Sequence, residues 1–169
     1  MIDLLKAKAA LHFLESEHWS LGAAESLTGG LFASTICSIP GASKVFKGAI
    51  VSYAASVKED ILKVSADDVA KFGVVSEPVA IEMAKGASEV LKVNVAVSFT
   101  GNAGPTAEPG EAPVGQVNMA LVLALPNQKT VVYAYEKHFT GERNEIREAS
   151  VNAMIDAIIA LQDTIVGHK

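Results

Sequence analysis

Hydrophobic and polar positions along the chain follow two periods, and the changes of period mark its elements. Leu4, Ala7, Leu11 and Leu14 recur at helical spacing while Lys6, Lys8, Glu15 and Glu17 fall away from that stripe, which predicts an amphipathic helix over residues 3–17. Trp19 to Ala24 reads as a short buried strand. Glu25-Ser26-Leu27-Thr28-Gly29-Gly30 follows it, and a helical habit resumes from Leu31 to Ser38, making a strand, tight loop, helix unit. Pro40-Gly41 ends that helix, and the β-branched and aromatic run from Val45 to Tyr53 predicts the next strand.

Ser56 and Glu59 have the spacing of a capping box, which predicts a helix through Ile61 and Leu62 with Lys58 in its first turn. Ser65 caps a short helix that stops at Gly73, and Ser76-Glu77-Pro78 opens a longer one to about Leu91. Val93 to Phe99 returns to strand. Thr100 to Gly115, punctuated by glycine and proline, predicts an irregular loop, and long loops inside compact domains are often functional. Gln116–Leu125 and Thr130–Phe139 predict an antiparallel hairpin across Pro126-Asn127-Gln128-Lys129. Ile146, Ala149, Ala153, Ala157, Ile158, Leu161 and Ile165 mark the packed face of a C-terminal helix. The interleaving of helices and strands predicts an α/β fold: one three-layer α/β/α domain over residues 1–169, with a mixed sheet that ends in the antiparallel hairpin.

Composition narrows the function. Fourteen Lys and Arg against nineteen Asp and Glu leave a net charge of −5, the wrong sign for a general nucleic-acid binder. The longest strongly apolar run, Met119 to Leu125, is far short of the roughly 20 residues of a membrane-spanning helix, so no membrane partner is expected. Cys37 is the only cysteine, which excludes an intrachain disulfide and a cysteine-based zinc site. With Asp3, Lys6 and Lys8 interrupting the N-terminus, no signal peptide is expected, and the protein is predicted to be cytoplasmic. His12, His18, His138 and His168 are scattered without metal-ligand spacing, so a zinc hydrolase is not expected.

Ser26 is the candidate nucleophile, because a strand end turning through glycines into a helix exposes a hydroxyl beside free backbone N–H groups. The alternative is that Ser26 or Thr28 only caps the helix. Lys58, placed at the positive end of a helix macrodipole, is the candidate base, since a lysine that has lost its proton can accept one from serine. Tyr53 could hydrogen-bond between the two or position a leaving group, or simply pack in the core. The loop Thr100-Gly101-Asn102-Ala103-Gly104-Pro105 could cradle an anion on its N–H groups, and Arg143 and Arg147 could serve an anionic ligand or be ordinary surface arginines.

Ala24-Glu25-Ser26-Leu27-Thr28-Gly29-Gly30 resembles the Ala-Glu-Ser-x-Thr-Gly-Gly signature of the CinA C-terminal family, whose characterised enzymes are nicotinamide-nucleotide amidases. Further blocks agree in order over nearly the whole chain: Gly48 to Leu62, Gly73 to Pro78 with Glu82-Met83-Ala84, Thr100 to Pro105, Pro113-Val114-Gly115, and Phe139 to Arg143. The resemblance implies hydrolysis of the carboxamide of nicotinamide mononucleotide to nicotinate mononucleotide and ammonia, in pyridine-nucleotide recycling, with no metal or redox cofactor. It implies Ser26 as nucleophile, Lys58 as general base and Tyr53 as third catalytic residue. Backbone N–H groups around residues 26–28 would hold the oxyanion, Thr28 and Gly29 would contact the substrate, and Gly101, Ala103, Gly104 and Arg143 would bind its phosphate. A homodimer is plausible from the family, and the chain length points to its stand-alone form.

Several positions depart from the family pattern. Asn102 replaces an apolar residue, Thr106-Ala107 an acidic or glycine-rich continuation, Ala112 a lysine and Leu27 a cysteine. These departures keep two alternatives in view: a catalytically inactive nucleotide-binding or regulatory module, and a Ser-Lys amidase for another small amide.

Overall fold

The computed structural model describes residues 1–166, so His168 lies outside the described residues. In chain order the elements are α1 (Leu4–Ser16), β1 (Leu21–Glu25), α2 (Leu31–Cys37), a 3-10 turn at Ala42–Lys44, β2 (Phe46–Val51), α3 (Ala55–Asp60) and α4 (Ala66–Phe72). They continue with α5 (Glu77–Leu91), β3 (Val95–Gly101), β4 (Gln116–Leu123), β5 (Val131–His138) and α6 (Arg143–Val166). The five strands form one sheet in the order β2-β1-β3-β4-β5. β1 runs parallel to both β2 and β3, and the β3–β4 and β4–β5 pairs are antiparallel. The expected mixed α/β sheet with its C-terminal hairpin is present. Among the described residues no helix is long and apolar enough to cross a membrane.

Alternation along the strands sorts side chains to two faces. Leu21, Ala23, Val95, Val97, Phe99, Val117, Met119 and Leu121 face the layer of α1, α2 and α6, where they meet Leu11, Leu14, Phe32, Ile36, Ile146, Met154 and Ile158. The opposite face presents Ala24, Ala96 and Ala120, with Ser98 between them in register, to α5. Small side chains on both partners let this helix lie close to the sheet, and the buried Ser98 hydroxyl donates to Ala80 O at 2.6 Å. Gly86 of α5 touches the segment after α3: a Cβ built there would stand 2.2 Å from Leu62 O.

The structure corrects the elements at several ends. Trp19 lies before β1 and packs edge-on against Phe13 with ring centroids 5.8 Å apart. The Ser56–Glu59 capping box does not form: α3 starts at Ala55, its N-cap is Ala54 and no side chain caps it. Lys58 is therefore the fourth residue of a six-residue helix, two positions further in than the capping box implied. On α6 the fully buried stripe runs through Ile146, Ser150, Val151, Met154, Ile155, Ile158 and Leu161, with Ala153, Ala157 and Ile165 at its margin. Ser65 caps α4 as predicted, accepting from Asp68 N at 3.2 Å.

The parallel run of β1, β2 and β3 sends the loops after all three strands out of the same edge of the sheet. β5 runs parallel in sense to β3, so the N-terminus of α6 starts at that edge too. From β1 the chain moves outward to β2 and then returns past β1 to β3, which puts the switch of direction between β1 and β3. Open α/β sheets bind ligands in the crevice at that point.

Gly86→Ala should destabilise the protein. Alanine gains about 1 kcal/mol in helix propensity over glycine, but its methyl meets a backbone carbonyl that cannot turn away, and overpacking of this kind costs about 1 to 3 kcal/mol. Urea denaturation should show the net loss.

Candidate active site

Glu25, the last residue of β1, pairs with Val51 of β2 and Phe99 of β3, so the next residue emerges between two strand ends. Ser26 is that residue: its N–H donates to Phe99 O at 3.0 Å, and its side chain reaches the floor of an open cleft of about 560 Å³. Leu27, Tyr53, Lys58, Phe72, Val74, Thr100, Ala103, Glu111 and Arg143 line the same cleft. Among the described residues no group of three or more His, Cys, Asp or Glu side chains could hold a metal ion.

Lys58 enters from α3 and is 1% exposed. Its Nζ donates to Ser26 Oγ at 2.9 Å, to Ser52 O at 2.6 Å and to Tyr53 O at 3.0 Å. Among the described residues, no carboxylate pairs with it within 4.0 Å. Burial without a counter-ion lowers its pKa from 10.5 to about 8. The cause is desolvation, where the sequence suggested the helix macrodipole: Lys58 lies in the last turn of α3.

The three partners also determine where the lone pair of a neutral amine points. Two carbonyl oxygens can only accept, so they hold the two N–H bonds that remain after deprotonation. The third direction, toward Ser26 Oγ, is then the lone pair's. The same contact is a donor to serine when Lys58 is charged and an acceptor for the serine proton when it is neutral.

Glu25 is fully buried, and its carboxylate accepts from Phe32 N at 2.9 Å and Ala33 N at 3.1 Å. It thus caps α2 from the preceding strand, the task that the alternative reading gave to Ser26 or Thr28. Leu31 N is occupied by Thr28 O at 2.8 Å, so the first three amides inside α2 are all committed and only the N-cap amide of Gly30 is without an acceptor among the described residues. Ser26 N is occupied as well, which removes it from the expected oxyanion donors. Gly29 N donates to Ser26 O at 3.0 Å and is likewise spent. Among the described residues the N–H groups of Leu27 and Thr28 have no acceptor. The Thr28 hydroxyl is buried without a partner among the described residues.

Tyr53 reaches the lysine by its carbonyl, whereas its ring is 61% exposed and its hydroxyl accepts from Arg143 Nη2 at 3.1 Å. That hydroxyl therefore does not bridge serine and lysine, as the sequence had suggested it could. Arg143 also donates through Nη1 to Gly104 O, tying the glycine loop to Tyr53 across the cleft mouth. Within the loop, Asn102 N donates to Gln116 O and Gly104 N to Asn102 Oδ1, while Gly101 belongs to the β3–β4 ladder. Ala103 N is the N–H of this loop left without an acceptor among the described residues, so the expected cradle reduces to one amide and the guanidinium. Gly104 adopts φ +77°, and a Cβ there would stand 2.7 Å from Val114. Asn102 acts as a staple, its Nδ2 donating to Ala112 O at 2.9 Å.

Arg147 is not available to an anionic ligand: Nε donates to Leu27 O at 2.9 Å, Nη2 to Thr28 O at 2.8 Å and Nη1 to Asn144 Oδ1 at 2.9 Å. Sequence reading also missed the carbonyl of Ser52, which has no side-chain signature, and the Phe72–Val75 wall. The exposed apolar Phe72 and Val74 on either side of Gly73 were the available sign of that wall.

Fold and site together define an open-sheet α/β protein with a buried serine–lysine pair at the carboxyl ends of its parallel strands. Residues 5–161 match the family described as CinA C-terminal domain. The chain belongs to that family. A putative competence-damage inducible protein of Limosilactobacillus reuteri is 46% identical over 129 residues, covering 76% of this chain and 31% of that protein. A CinA-like protein of Thermosipho melanesiensis is 43% identical over 163 residues, covering 89% of this chain and 40% of its own length. The chain thus spans well under half the length of either relative. Among solved structures, the competence/damage inducible protein CihA from Agrobacterium tumefaciens superposes with TM-score 0.87 at 32% identity, covering 96% of this chain and 98% of that one. A CinA superfamily protein from Escherichia coli gives TM-score 0.85 at 29% identity, covering 92% and 88%.

Below about pH 8 the folded protein carries a buried ammonium, and between about 8 and 10.5 the unfolded chain binds the extra proton. Stability must then rise with pH across that window. Wild type should gain on Lys58→Met by about 2 to 3 kcal/mol between about pH 7 and pH 10.5, read from urea denaturation of both proteins at each pH.

Proposed function

We propose that the protein is a Ser-Lys amidase that hydrolyses the carboxamide of nicotinamide mononucleotide, releasing nicotinate mononucleotide and ammonia. One observation carries the chemistry: Lys58 Nζ stands 2.9 Å from Ser26 Oγ with its other two donors committed to carbonyls. The choice of substrate rests on the family resemblance, supported by a cleft that places a guanidinium and a free loop amide beyond the serine.

In this mechanism neutral Lys58 takes the Ser26 proton as Oγ attacks the carboxamide carbon. The oxyanion is met by the N–H groups of Leu27 and Thr28. On collapse the C–N bond breaks, the Lys58 ammonium gives its proton to the departing nitrogen, and ammonia leaves an ester on Ser26. Water then attacks the ester with Lys58 again as base, freeing the carboxylic acid and the serine. The phosphate is bound by Arg143 and Ala103 N, while Gly101 and Gly104 shape the loop. Tyr53 contributes its carbonyl to the base and its hydroxyl to the seating of Arg143.

Ammonia release from nicotinamide mononucleotide, set beside the riboside without phosphate, tests the reading directly. Ser26→Ala and Lys58→Ala should each lower kcat by at least about 10³-fold. Saturable binding without ammonia would instead make this a non-catalytic nucleotide-binding module, and release from a different amide would reassign the substrate.

Tyr53→Phe keeps the carbonyl on Lys58 and loses only the contact to Arg143, so it should raise KM and leave kcat within about tenfold. A collapse of kcat in this variant would give the hydroxyl a chemical role. For wild type, kcat/KM should climb about tenfold per pH unit below about 8 and level off above it, following the lysine.

A further inference from the structure

The half-buried Arg147 donates from every guanidinium nitrogen to an oxygen of the protein. It sits in the second turn of α6, near the positive end of that helix, where a cation is unfavourable, and no carboxylate pairs with it among the described residues. All three guanidinium nitrogens donate to neutral oxygens, and two of those are the consecutive carbonyls of Leu27 and Thr28, immediately after Ser26. A guanidinium fork that grips two successive carbonyls of one turn holds two peptide planes at once.

The consequence follows from peptide geometry. In a trans peptide the C=O and the N–H of the next residue point in opposite directions within one rigid plane. Holding Leu27 O toward α6 therefore turns Thr28 N–H away from α6. The plane before it is held in the same manner, since Gly29 N donates to Ser26 O and so orients Leu27 N–H. Leu31 N shares Thr28 O with Arg147, which closes the turn onto α2. The result is two adjacent N–H groups, Leu27 and Thr28, without acceptors among the described residues, next to the serine hydroxyl. Successive backbone N–H groups arranged in this way form an anion-binding nest.

We infer that Arg147 is a positioning residue for the oxyanion site: it holds the Leu27–Thr28 turn from behind so that both N–H groups are aimed before the substrate arrives. The inference rests on the amidase reading and deepens it. Arg147 touches neither substrate nor reacting atom, and its effect belongs to the transition state, because only there does the carbonyl oxygen carry the charge that the two donors await. Arg143, one turn earlier on the same helix, faces the cleft mouth instead, so the two arginines of α6 have separate tasks.

The test compares wild type with Arg147→Lys and Arg147→Met in ammonia release. It adds binding of two probes: nicotinate mononucleotide, and the aldehyde counterpart of the substrate, which forms a tetrahedral adduct on Ser26. Arg147→Met should lose about 10²-fold in kcat with KM and product affinity within about threefold, and aldehyde affinity should fall in step with kcat. Arg147→Lys, which can hold one carbonyl but not two, should fall between, and added guanidinium ion should restore part of the methionine variant's rate. Unchanged kcat and aldehyde affinity overturn the role. So does a loss shared equally by product binding, KM and melting temperature, which would mark Arg147 as a structural brace only. Wild-type protein that releases no ammonia yet captures the aldehyde removes the substrate assignment alone, and the aldehyde arm then decides on Arg147. If wild type does neither, the serine chemistry and this role fall together.

Discussion

The site depends on a buried amine that has no counter-ion. Lys58 is almost wholly removed from water, and what surrounds its nitrogen is two peptide carbonyls and one hydroxyl. Carbonyl dipoles satisfy an ammonium's donors without supplying the full negative charge that would hold its proton, so burial wins and the pKa drops toward neutrality. A carboxylate in place of either carbonyl would favour the charged form and leave the serine without a base. Much of the surrounding architecture can be understood as keeping those two carbonyls turned inward at the end of β2, and keeping the serine at the end of β1.

The sheet achieves this by direction and order. β1 is flanked on both sides by parallel neighbours, so Ser26 emerges between the exits of β2 and β3 and inherits hydrogen bonds from both sides: Ser26 N to Phe99 O, and Ser52 N to Glu25 O at 2.7 Å. Glu25 links this frame to the helical layer, since its carboxylate takes the first free amides of α2 while its carbonyl holds Ser52. Arg147 performs the complementary task from α6, taking the carbonyls of the intervening turn. The carbonyls of Ser26, Leu27 and Thr28 are all committed, and the amides of Leu27, Thr28 and Gly30 are left facing no protein acceptor among the described residues.

The cleft above is less tightly built. One wall comes from the exposed apolar Phe72 and Val74, and the other from a loop that Asn102 staples through Gly104 N and Ala112 O. Arg143 spans the mouth between Gly104 and Tyr53. The departure of Asn102 from the apolar family residue thus has a structural reason in this chain: its amide does for the loop what no apolar side chain could. Amide chemistry and substrate choice accordingly reside in separate layers of the site, the first in the strand exits and the second in the loop and the mouth.

Hydrophobic patterning, together with capping residues and glycine and proline breaks, marked the main helices and strands, because burial against the sheet or the helical layer imposes its spacing on the sequence. The family signature around Ser26 and the position of Lys58 were equally legible, since both rest on side-chain identity. Strand order was not: it depends on which hydrophobic edges pair, and many pairings satisfy the same alternation. The false capping box at Ser56 and the macrodipole assigned to Lys58 failed because a helix start is a local signal that tertiary burial overrode. The Tyr53 hydroxyl, the Ser52 carbonyl and Arg147 took their places only when separate strands and helices converged. A carbonyl has no residue identity to read, and an arginine's partner is chosen by three-dimensional proximity. The sequence by itself determined which groups this protein has and which faces it buries, while the tertiary structure decided which of those groups meet and in which protonation state they do so.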